Sequence, residues 1–126
     1  MTDRLFVAVV DDDPSIRKAL ERLLRTVQME VKSFASGESF LLSLQQREPD
    51  CLVLDIRMPG MMGPDLRDRL VALKRRIPIV FITAHAEGGA AERGTSGESV
   101  DTLRKPFGDE ALLEAIGRSI RRPNVE

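Results

Sequence analysis

The sequence predicts an α/β fold in which a parallel β-sheet lies between helices on both of its faces. Strand-like and helix-like segments alternate along the chain and are joined by short polar stretches, a pattern typical of parallel sheets. Three of the strand-like segments are continuous apolar runs, as expected where both faces of a strand are buried. The length of 126 residues and the hydrophobic content of 42% suffice for one compact domain.

Five strands are predicted. The three apolar runs form the centre of the sheet, whereas Glu30 to Phe34 alternates between polar and apolar residues and Val100 to Arg104 shows a weaker pattern. These two segments are therefore predicted to be the edge strands. The central runs are Leu5 to Val10, Cys51 to Leu54 and Ile79 to Ile82.

Amphipathic helices are predicted between the strands. The first follows Pro14, which suits a first helical turn, and Asp13 is its predicted N-cap. Another follows Pro64, and the last follows the acidic pair Asp109 and Glu110. The apolar stripes comprise Ile16, Leu20, Leu23, Leu24 and Val27 in the first helix, Phe40, Leu41 and Leu44 in the second, Leu66, Leu70 and Leu73 in the third, and Leu112, Leu113, Ile116 and Ile120 in the last.

The segment from Glu87 to Ser99 differs from the rest of the chain. It contains four glycines and no apolar stripe. Four glycines would cost a helix roughly 4 kcal/mol relative to alanine, and no core-facing side chain offsets that cost. A helix in this place, the fourth of the predicted fold, is therefore expected to be irregular or poorly ordered.

The charge balance excludes several classes of protein. The chain has 19 basic and 20 acidic residues, a net charge of -1, which gives no overall attraction to nucleic acid or anionic membrane. The basic runs Lys74 to Arg76 and Arg121 to Arg122 fall at predicted helix C-termini, where the helix dipole favours cations. No apolar run approaches the ~20 residues of a spanning helix. We expect a cytoplasmic protein without direct nucleic acid or membrane binding.

The single cysteine, Cys51, opens one of the buried strands. A lone cysteine excludes an internal disulfide and does not make a thiolate metal site. We therefore interpret Cys51 as a buried structural thiol.

Acidic residues follow two of the central strands. Asp11, Asp12 and Asp13 follow the first strand, and Asp55 follows the third. Because open α/β sheets bind ligands at the carboxyl ends of their strands, these carboxylates should gather at one edge. Carboxylates so close repel one another, and Mg²⁺ relieves the repulsion while it leaves positions open for phosphate oxygens. The alternative is that the aspartates only cap the next helix, but capping needs one aspartate and not three.

Asp55 is the best candidate for a nucleophile, since a carboxylate beside Mg²⁺ can attack phosphorus and become an aspartyl phosphate. Thr83 ends another central strand and would donate its hydroxyl, and Lys105 would supply positive charge to a phosphoryl oxygen. Each residue alone has an ordinary explanation as a turn aspartate, a strand threonine or a surface lysine. Together they predict a site for phosphoryl transfer.

These residues stand in motifs that resemble the receiver domain of two-component response regulators. The motifs are Val-Val-Asp11-Asp12-Asp13-Pro, Leu-Asp55-Ile-Arg-Met-Pro-Gly, Ile-Thr83-Ala and Lys105-Pro-Phe, and the resemblance covers nearly the whole chain. Within the family the chain is most similar to receivers of LuxR-type transcription regulators of the nitrogen-fixation and aromatic-catabolism type. The resemblance implies a flavodoxin-like three-layer fold with strand order 2-1-3-4-5.

The resemblance also implies the reaction and its cofactor. Asp55 would accept a phosphoryl group from a sensor histidine kinase. Asp11, Asp12 and Asp55 would hold Mg²⁺, with the backbone carbonyl of Arg57 as a further protein ligand. The side chain of Arg57 would lie at the rim of the pocket and modulate the access of water.

Further roles follow from the same resemblance. Thr83 would turn toward the phosphoryl group, Lys105 would pair with it, and the bond before Pro106 would be cis. Ala84 would leave room for the phosphodonor. His85 would modulate the lifetime of the phosphoryl group, its alternative being an exposed loop histidine.

Thr102 departs from the family pattern. It stands three residues before the lysine, where receivers usually place an aromatic residue whose rotamer reports phosphorylation. The site that receives the signal is thus intact, whereas the usual output side is altered. We hypothesise that phosphorylation acts through ordering of residues 86–99, or not through that face at all.

Three classes of function are compatible with these residues, and a phosphorylation switch is favoured. Such a domain is no metabolic enzyme and catalyses at most its own phosphorylation and dephosphorylation. The alternative is a receiver-like protein interaction module with an atypical phosphorylation-driven output or none. A phosphohydrolase of the haloacid-dehalogenase type is disfavoured, because it would need an aspartate where Arg57 stands.

The expected organisation is a receiver domain over residues 1–121 and a tail or linker start over residues 122–126. In a longer protein a DNA-binding output domain would follow, and transcription regulation would be its task. A homodimer is a further expected state.

Overall fold

The computed structural model describes residues 4–84 and 101–121 of the chain. Five strands in these ranges form one parallel sheet, and four helices cover it. The strands are β1 (Phe6–Val10), β2 (Glu30–Phe34), β3 (Cys51–Asp55), β4 (Ile79–Thr83) and β5 (Asp101–Arg104). The helices are α1 (Pro14–Thr26), α2 (Gly37–Ser43), α3 (Gly63–Ala72) and α4 (Asp109–Arg121).

The strand order is β2-β1-β3-β4-β5, and every neighbouring pair is parallel. The predicted fold class and strand order are thereby confirmed, with the two weaker segments at the edges. The irregular helix and the ordering predicted for residues 86–99, like His85, lie outside the described residues. No helix in the described ranges is both long and apolar enough to cross a membrane.

Side chains of each strand alternate between two cores. One core lies between the sheet and the helices α2 and α3, and the other lies between the sheet and α1 and α4. In β1, Ala8 and Val10 belong to the first core, whereas Val7 and Val9 belong to the second. The central strands are thus buried on both faces, which explains their continuous apolar sequence.

Helix α1 begins where the sequence predicted. The side chain of Asp13 accepts a hydrogen bond from the backbone N–H of Ser15 at 2.8 Å, and Pro14 occupies the first turn. The predicted stripes extend too far at two helix ends, because Val27 and Leu73 are C-cap residues with exposed side chains. Each helix stops before these side chains turn toward the core.

Cys51 is fully buried in the second core, as predicted. Its thiol lies 3.2 Å from the hydroxyl of Ser119, which in turn donates to the carbonyl of Ile116 at 2.8 Å. Burial raises the pKa of the Cys51 thiol to about 11. The thiol is therefore neutral at physiological pH and has a structural role.

The register of the strands brings their carboxyl ends to one edge of the sheet. Val10 is paired with Leu54, and Asp55 is paired with Ile82. On the far side of β4, Thr83 is paired with Arg104. Asp55 and Thr83, which end their strands, and the residues that follow Val10 and Arg104 therefore lie at the same edge of the sheet.

Candidate functional site

Residues from four strand ends meet at this edge. Carboxylate oxygens of Asp11, Asp12 and Asp55 all lie within 4.8 Å of one another. The ammonium of Lys105 lies 2.9 Å from Oδ2 of Asp11 and 3.9 Å from Oδ1 of Asp55. Thr83 is buried at the end of β4, and its carbonyl accepts a hydrogen bond from the backbone N–H of Lys105 at 2.7 Å. The structure thus brings together all five residues that the sequence singled out.

Asp11 is the most constrained of the three carboxylates. Its side chain is fully buried and accepts hydrogen bonds from the backbone N–H of Asp13, at 2.9 Å, and from Lys105. Its main chain is held as well, since its N–H donates to the carbonyl of Phe34 at 3.1 Å and its carbonyl accepts from Nη1 of Arg17 at 2.8 Å. Asp11 is therefore a fixed wall of the site.

Asp12 is exposed, whereas Asp11 is buried. The carboxylate of Asp12 still reaches the cluster. The two neighbours can thus play different parts, Asp11 as a buried anchor and Asp12 as a group open to solvent and ligands.

The surrounding protein disfavours the ionised form of the Asp55 carboxyl. Burial, with Asp11 as a further contributor, raises the pKa of this carboxyl to about 7, against the opposing effects of Lys105 and of a hydrogen bond from the backbone N–H of Arg57. The pocket contains the carboxylates of Asp11, Asp12 and Asp55 and the ammonium of Lys105. A divalent cation would balance the excess negative charge.

The donor set fits Mg²⁺ in particular. Mg²⁺ prefers carboxylate and carbonyl oxygens and retains some of its waters, so one buried and one exposed carboxylate suit it. Asp11, Asp12 and Asp55 supply such oxygens from two neighbouring strands.

The main chain after Asp55 is held at two points. The N–H of Ile56 donates to the carbonyl of Ile82 at 2.9 Å, and the carbonyl of Ile56 accepts from the N–H of Gly63 at 2.8 Å. Sequence reasoning missed Gly63, and it also missed Arg17. A glycine directly before Pro64 at the start of a helix is the signal that could have drawn attention to Gly63.

The structure describes all but one of the remaining predicted residues. The Lys105–Pro106 peptide bond is cis. Ala84 follows β4 and is exposed, as is Arg57 after β3. Thr102 lies on β5, where its hydroxyl oxygen is buried and has no hydrogen-bond partner among the described residues. The position of His85 is not among the described residues.

Comparison with known proteins adds independent information. Residues 7–117 match the family of response regulator receiver domains. The chain is 41% identical over 119 residues to Nodulation protein W of Bradyrhizobium diazoefficiens, covering 94% of this chain and 52% of that protein. It is 37% identical over 122 residues to response regulator protein TodT of Pseudomonas putida, with coverages of 96% and 54%.

Solved structures give the same result. The crystal structure of FixJ-N matches with a TM-score of 0.85 and 35% identity over 100% of both chains. The chain spans about half the length of the curated relatives it matches. Sequence, fold and strand-end site therefore agree on one family.

Proposed function

Because the chain belongs to the response regulator receiver family of two-component signalling, we propose that it accepts a phosphoryl group on Asp55 and acts as a phosphorylation switch. Receivers of this family are signalling phosphoacceptor domains and not metabolic enzymes. One observation carries the proposal: the Asp55 carboxylate lies within 4.8 Å of two other carboxylates and 3.9 Å from a lysine ammonium.

In the proposed reaction, a carboxylate oxygen of Asp55 attacks the phosphorus of the donor. The new O–P bond forms while the bond from phosphorus to the leaving group breaks, and the leaving group departs with the electron pair. Lys105 would pair with a phosphoryl oxygen, and its distances of 2.9 and 3.9 Å to oxygens of Asp11 and Asp55 support this role. Thr83, at the end of the adjoining strand, would donate its hydroxyl to another.

The proposed metal site consists of Asp11, Asp12 and Asp55, with the backbone carbonyl of Arg57 as a further ligand. When bound, Mg²⁺ supplies positive charge to the carboxylates and to the transferring phosphoryl oxygens. Within the protein itself, Lys105 neutralises Asp11, and the N–H of Arg57 orients the Asp55 carboxylate. These contacts keep Asp55 in place before a donor arrives.

The rim residues are proposed to control access. Ala84 directly follows β4, Arg57 lies two residues after Asp55, and both are exposed. The small side chain of Ala84 would admit the phosphodonor, whereas Arg57, and His85 beyond Ala84, would modulate the attack of water.

Receiver domains of two-component systems act with histidine kinases, and we propose a sensor histidine kinase as the donor for this chain. We further propose residues 1–121 as the receiver and 122–126 as the start of a linker. Nodulation protein W and TodT are about twice as long as the matched region, which supports an output domain in a longer protein. We propose that this domain binds DNA and is of LuxR type, with transcription regulation as the outcome. A homodimer through the receiver is part of the same proposal.

A second candidate function is a receiver-like interaction module whose output does not depend on phosphorylation. Thr102 favours it, since a small residue occupies the position of the usual aromatic reporter, and its buried hydroxyl has no hydrogen-bond partner in the part of the chain that the structure describes. Both candidates share the pocket, and they differ in whether Asp55 is modified.

Labelling with a small phosphodonor separates the two candidates. The protein is incubated with acetyl phosphate and Mg²⁺, and the intact mass is measured for the wild type and for Asp55→Asn. We expect the wild type to gain one phosphoryl group and the variant to gain none. No gain in the wild type, or the same gain in the variant, would overturn the proposal.

A further inference from the structure

Gly63 lies against the main chain of Asp55. A Cβ atom added to Gly63 would come within 2.5 Å of the carbonyl oxygen of Asp55, 3.0 Å of the Cα of Ile56 and 3.2 Å of the carbonyl carbon of Asp55. All three neighbours are backbone atoms of the segment that carries the proposed phosphoacceptor. Any side chain at residue 63 therefore requires this segment or the start of α3 to move.

The contact differs from those of the other glycines that have close neighbours. At Gly37 the nearest atom is the sulfur of Met61, and at Gly117 it is the end of the Arg121 side chain. Flexible side-chain ends can turn away from an added methyl group. The carbonyl of Asp55 is a main-chain group at the end of β3, and it cannot turn away without displacing the packed main chain around it.

The same glycine completes a clamp on Ile56. The N–H of Gly63 donates to the carbonyl of Ile56 at 2.8 Å, and the N–H of Ile56 donates to the carbonyl of Ile82 at 2.9 Å. Ile56 is thus tied to α3 on one side and to β4 on the other. It links Asp55 to Arg57, whose backbone N–H reaches the Asp55 carboxylate.

The loop between Ile56 and Gly63 is held in place by two of its own side chains. Met58 and Met61 are buried in the core beneath the sheet, and only Met62 of the three methionines is exposed. Because these methionines are packed, the loop cannot absorb a displacement of residue 63 by moving itself. The displacement would pass to the main chain at residues 55 and 56.

We infer that Gly63 is a positioning residue for the phosphoacceptor: its missing side chain lets the start of α3 press on the Asp55 main chain and fix the carboxylate toward the cluster. The inference rests on the proposed phosphorylation of Asp55 for its functional part. Its structural part, the two hydrogen bonds that hold Ile56 between α3 and β4, does not depend on that phosphorylation.

The test uses Gly63→Ala with two matched controls. Gly117→Ala makes the same chemical change on α4, where the nearest atoms to the added methyl group belong to the end of the Arg121 side chain. Leu70→Ala truncates a buried residue of α3 and weakens the packing of that helix without placing an atom against Asp55. The two measurements are the rate of labelling by acetyl phosphate with Mg²⁺, and the exchange rate of the Ile56 amide hydrogen.

We expect Gly63→Ala to be labelled about 10- to 100-fold more slowly than the wild type, the range associated with a misplacement of up to about 1 Å. The Ile56 amide of this variant should exchange faster than in Leu70→Ala. Both controls should be labelled at close to the wild-type rate. Labelling of Gly63→Ala at the wild-type rate would overturn the positioning role.

Two further outcomes keep the inference separate from the proposed function. If the wild type is not labelled at all, phosphorylation of Asp55 is wrong, and the Ile56 amide alone then decides on the clamp. If Gly63→Ala does not fold, exchange in the wild type decides. Slow exchange of both the Ile56 and Gly63 amides would support the clamp, and fast exchange of either would refute it.

Discussion

The ammonium of Lys105 lies 2.9 Å from Oδ2 of Asp11, although the two residues are 94 positions apart in the chain. Asp11 is fully buried and Lys105 is mostly so, hence the pair is shielded from water. A buried carboxylate is tolerated only when it is paired and hydrogen-bonded. The contact therefore ties the last strand to the first and holds the proposed metal site in place.

Lys105→Met should destabilise the protein by about 3 kcal/mol, because it leaves the buried Asp11 without its counter-charge. Urea unfolding in Mg²⁺-free buffer measures this loss. Arg75→Met is the matched control. It breaks a 2.7 Å ion pair with Glu48 in which both side chains are about 40% exposed. Its cost should therefore stay under about 1 kcal/mol. Equal losses in the two variants would contradict the assigned role.

Asp55→Asn should stabilise the metal-free protein at pH 8. The folded-state pKa of Asp55 is raised from 3.8 to about 7, so folding takes up a proton between these values and stability declines as the pH rises through them. Removing the charge should add at least about 1.4 kcal/mol at pH 8, the equivalent of one pKa unit. The gain should be much smaller near pH 4, where the folded carboxyl is almost fully protonated and the unfolded one, with its pKa of 3.8, is already protonated in part.

Urea unfolding at pH 8 and pH 4 in EDTA checks this difference. Adding Mg²⁺ at pH 8 should stabilise the wild type more than Asp55→Asn, because the variant loses a proposed ligand. A variant that is less stable than the wild type at pH 8 in EDTA would show that the Asp55 charge is already compensated.

Thr102→Val should raise the free energy of unfolding by about 1 kcal/mol. It removes a buried hydroxyl that has no partner within residues 4–84 and 101–121, and it keeps the side-chain shape. Ser119→Ala provides the contrasting control. The hydroxyl of Ser119 is also buried but is hydrogen-bonded to Cys51 and Ile116, and its loss should cost about 1 kcal/mol. Thermal unfolding measures both, and a destabilised Thr102→Val would point to a bonded hydroxyl.

Cys51 should resist alkylation in the native state. The thiol is fully buried, and burial raises its pKa to about 11, so little thiolate exists at pH 8. Iodoacetamide should modify the chain in urea and leave the folded protein unmodified over the same period, as read by intact mass. Comparable modification of the folded protein would show that the second core opens at Cys51.

The fold could be predicted because its signals are local. Continuous apolar runs marked β1, β3 and β4, and Asp13 with Pro14 marked the start of α1. The helix ends were less predictable, since the apolar spacing continued to Val27 and Leu73 beyond the last turns. Spacing indicates a face of a helix but does not show where its hydrogen bonds stop.

The site could be predicted as far as its chemistry is carried by side chains. Asp11, Asp12, Asp55, Thr83 and Lys105 were found because strand ends and reactive groups are both visible in a sequence. Gly63 was not found, because its contribution is the absence of a side chain beside the Asp55 main chain. That contact exists only after α3 has packed against β3.

The most direct test of the central claim is to locate the phosphoryl group itself. Protein treated with acetyl phosphate and Mg²⁺ is reduced with borohydride, which converts an aspartyl phosphate to homoserine, and the peptides are sequenced by mass spectrometry. Asp11 and Asp12 lie in the same cluster as Asp55 and serve as internal controls. We predict homoserine at position 55 alone and only when Mg²⁺ is present; homoserine at position 11 or 12, or at none, would contradict Asp55 as the phosphoacceptor.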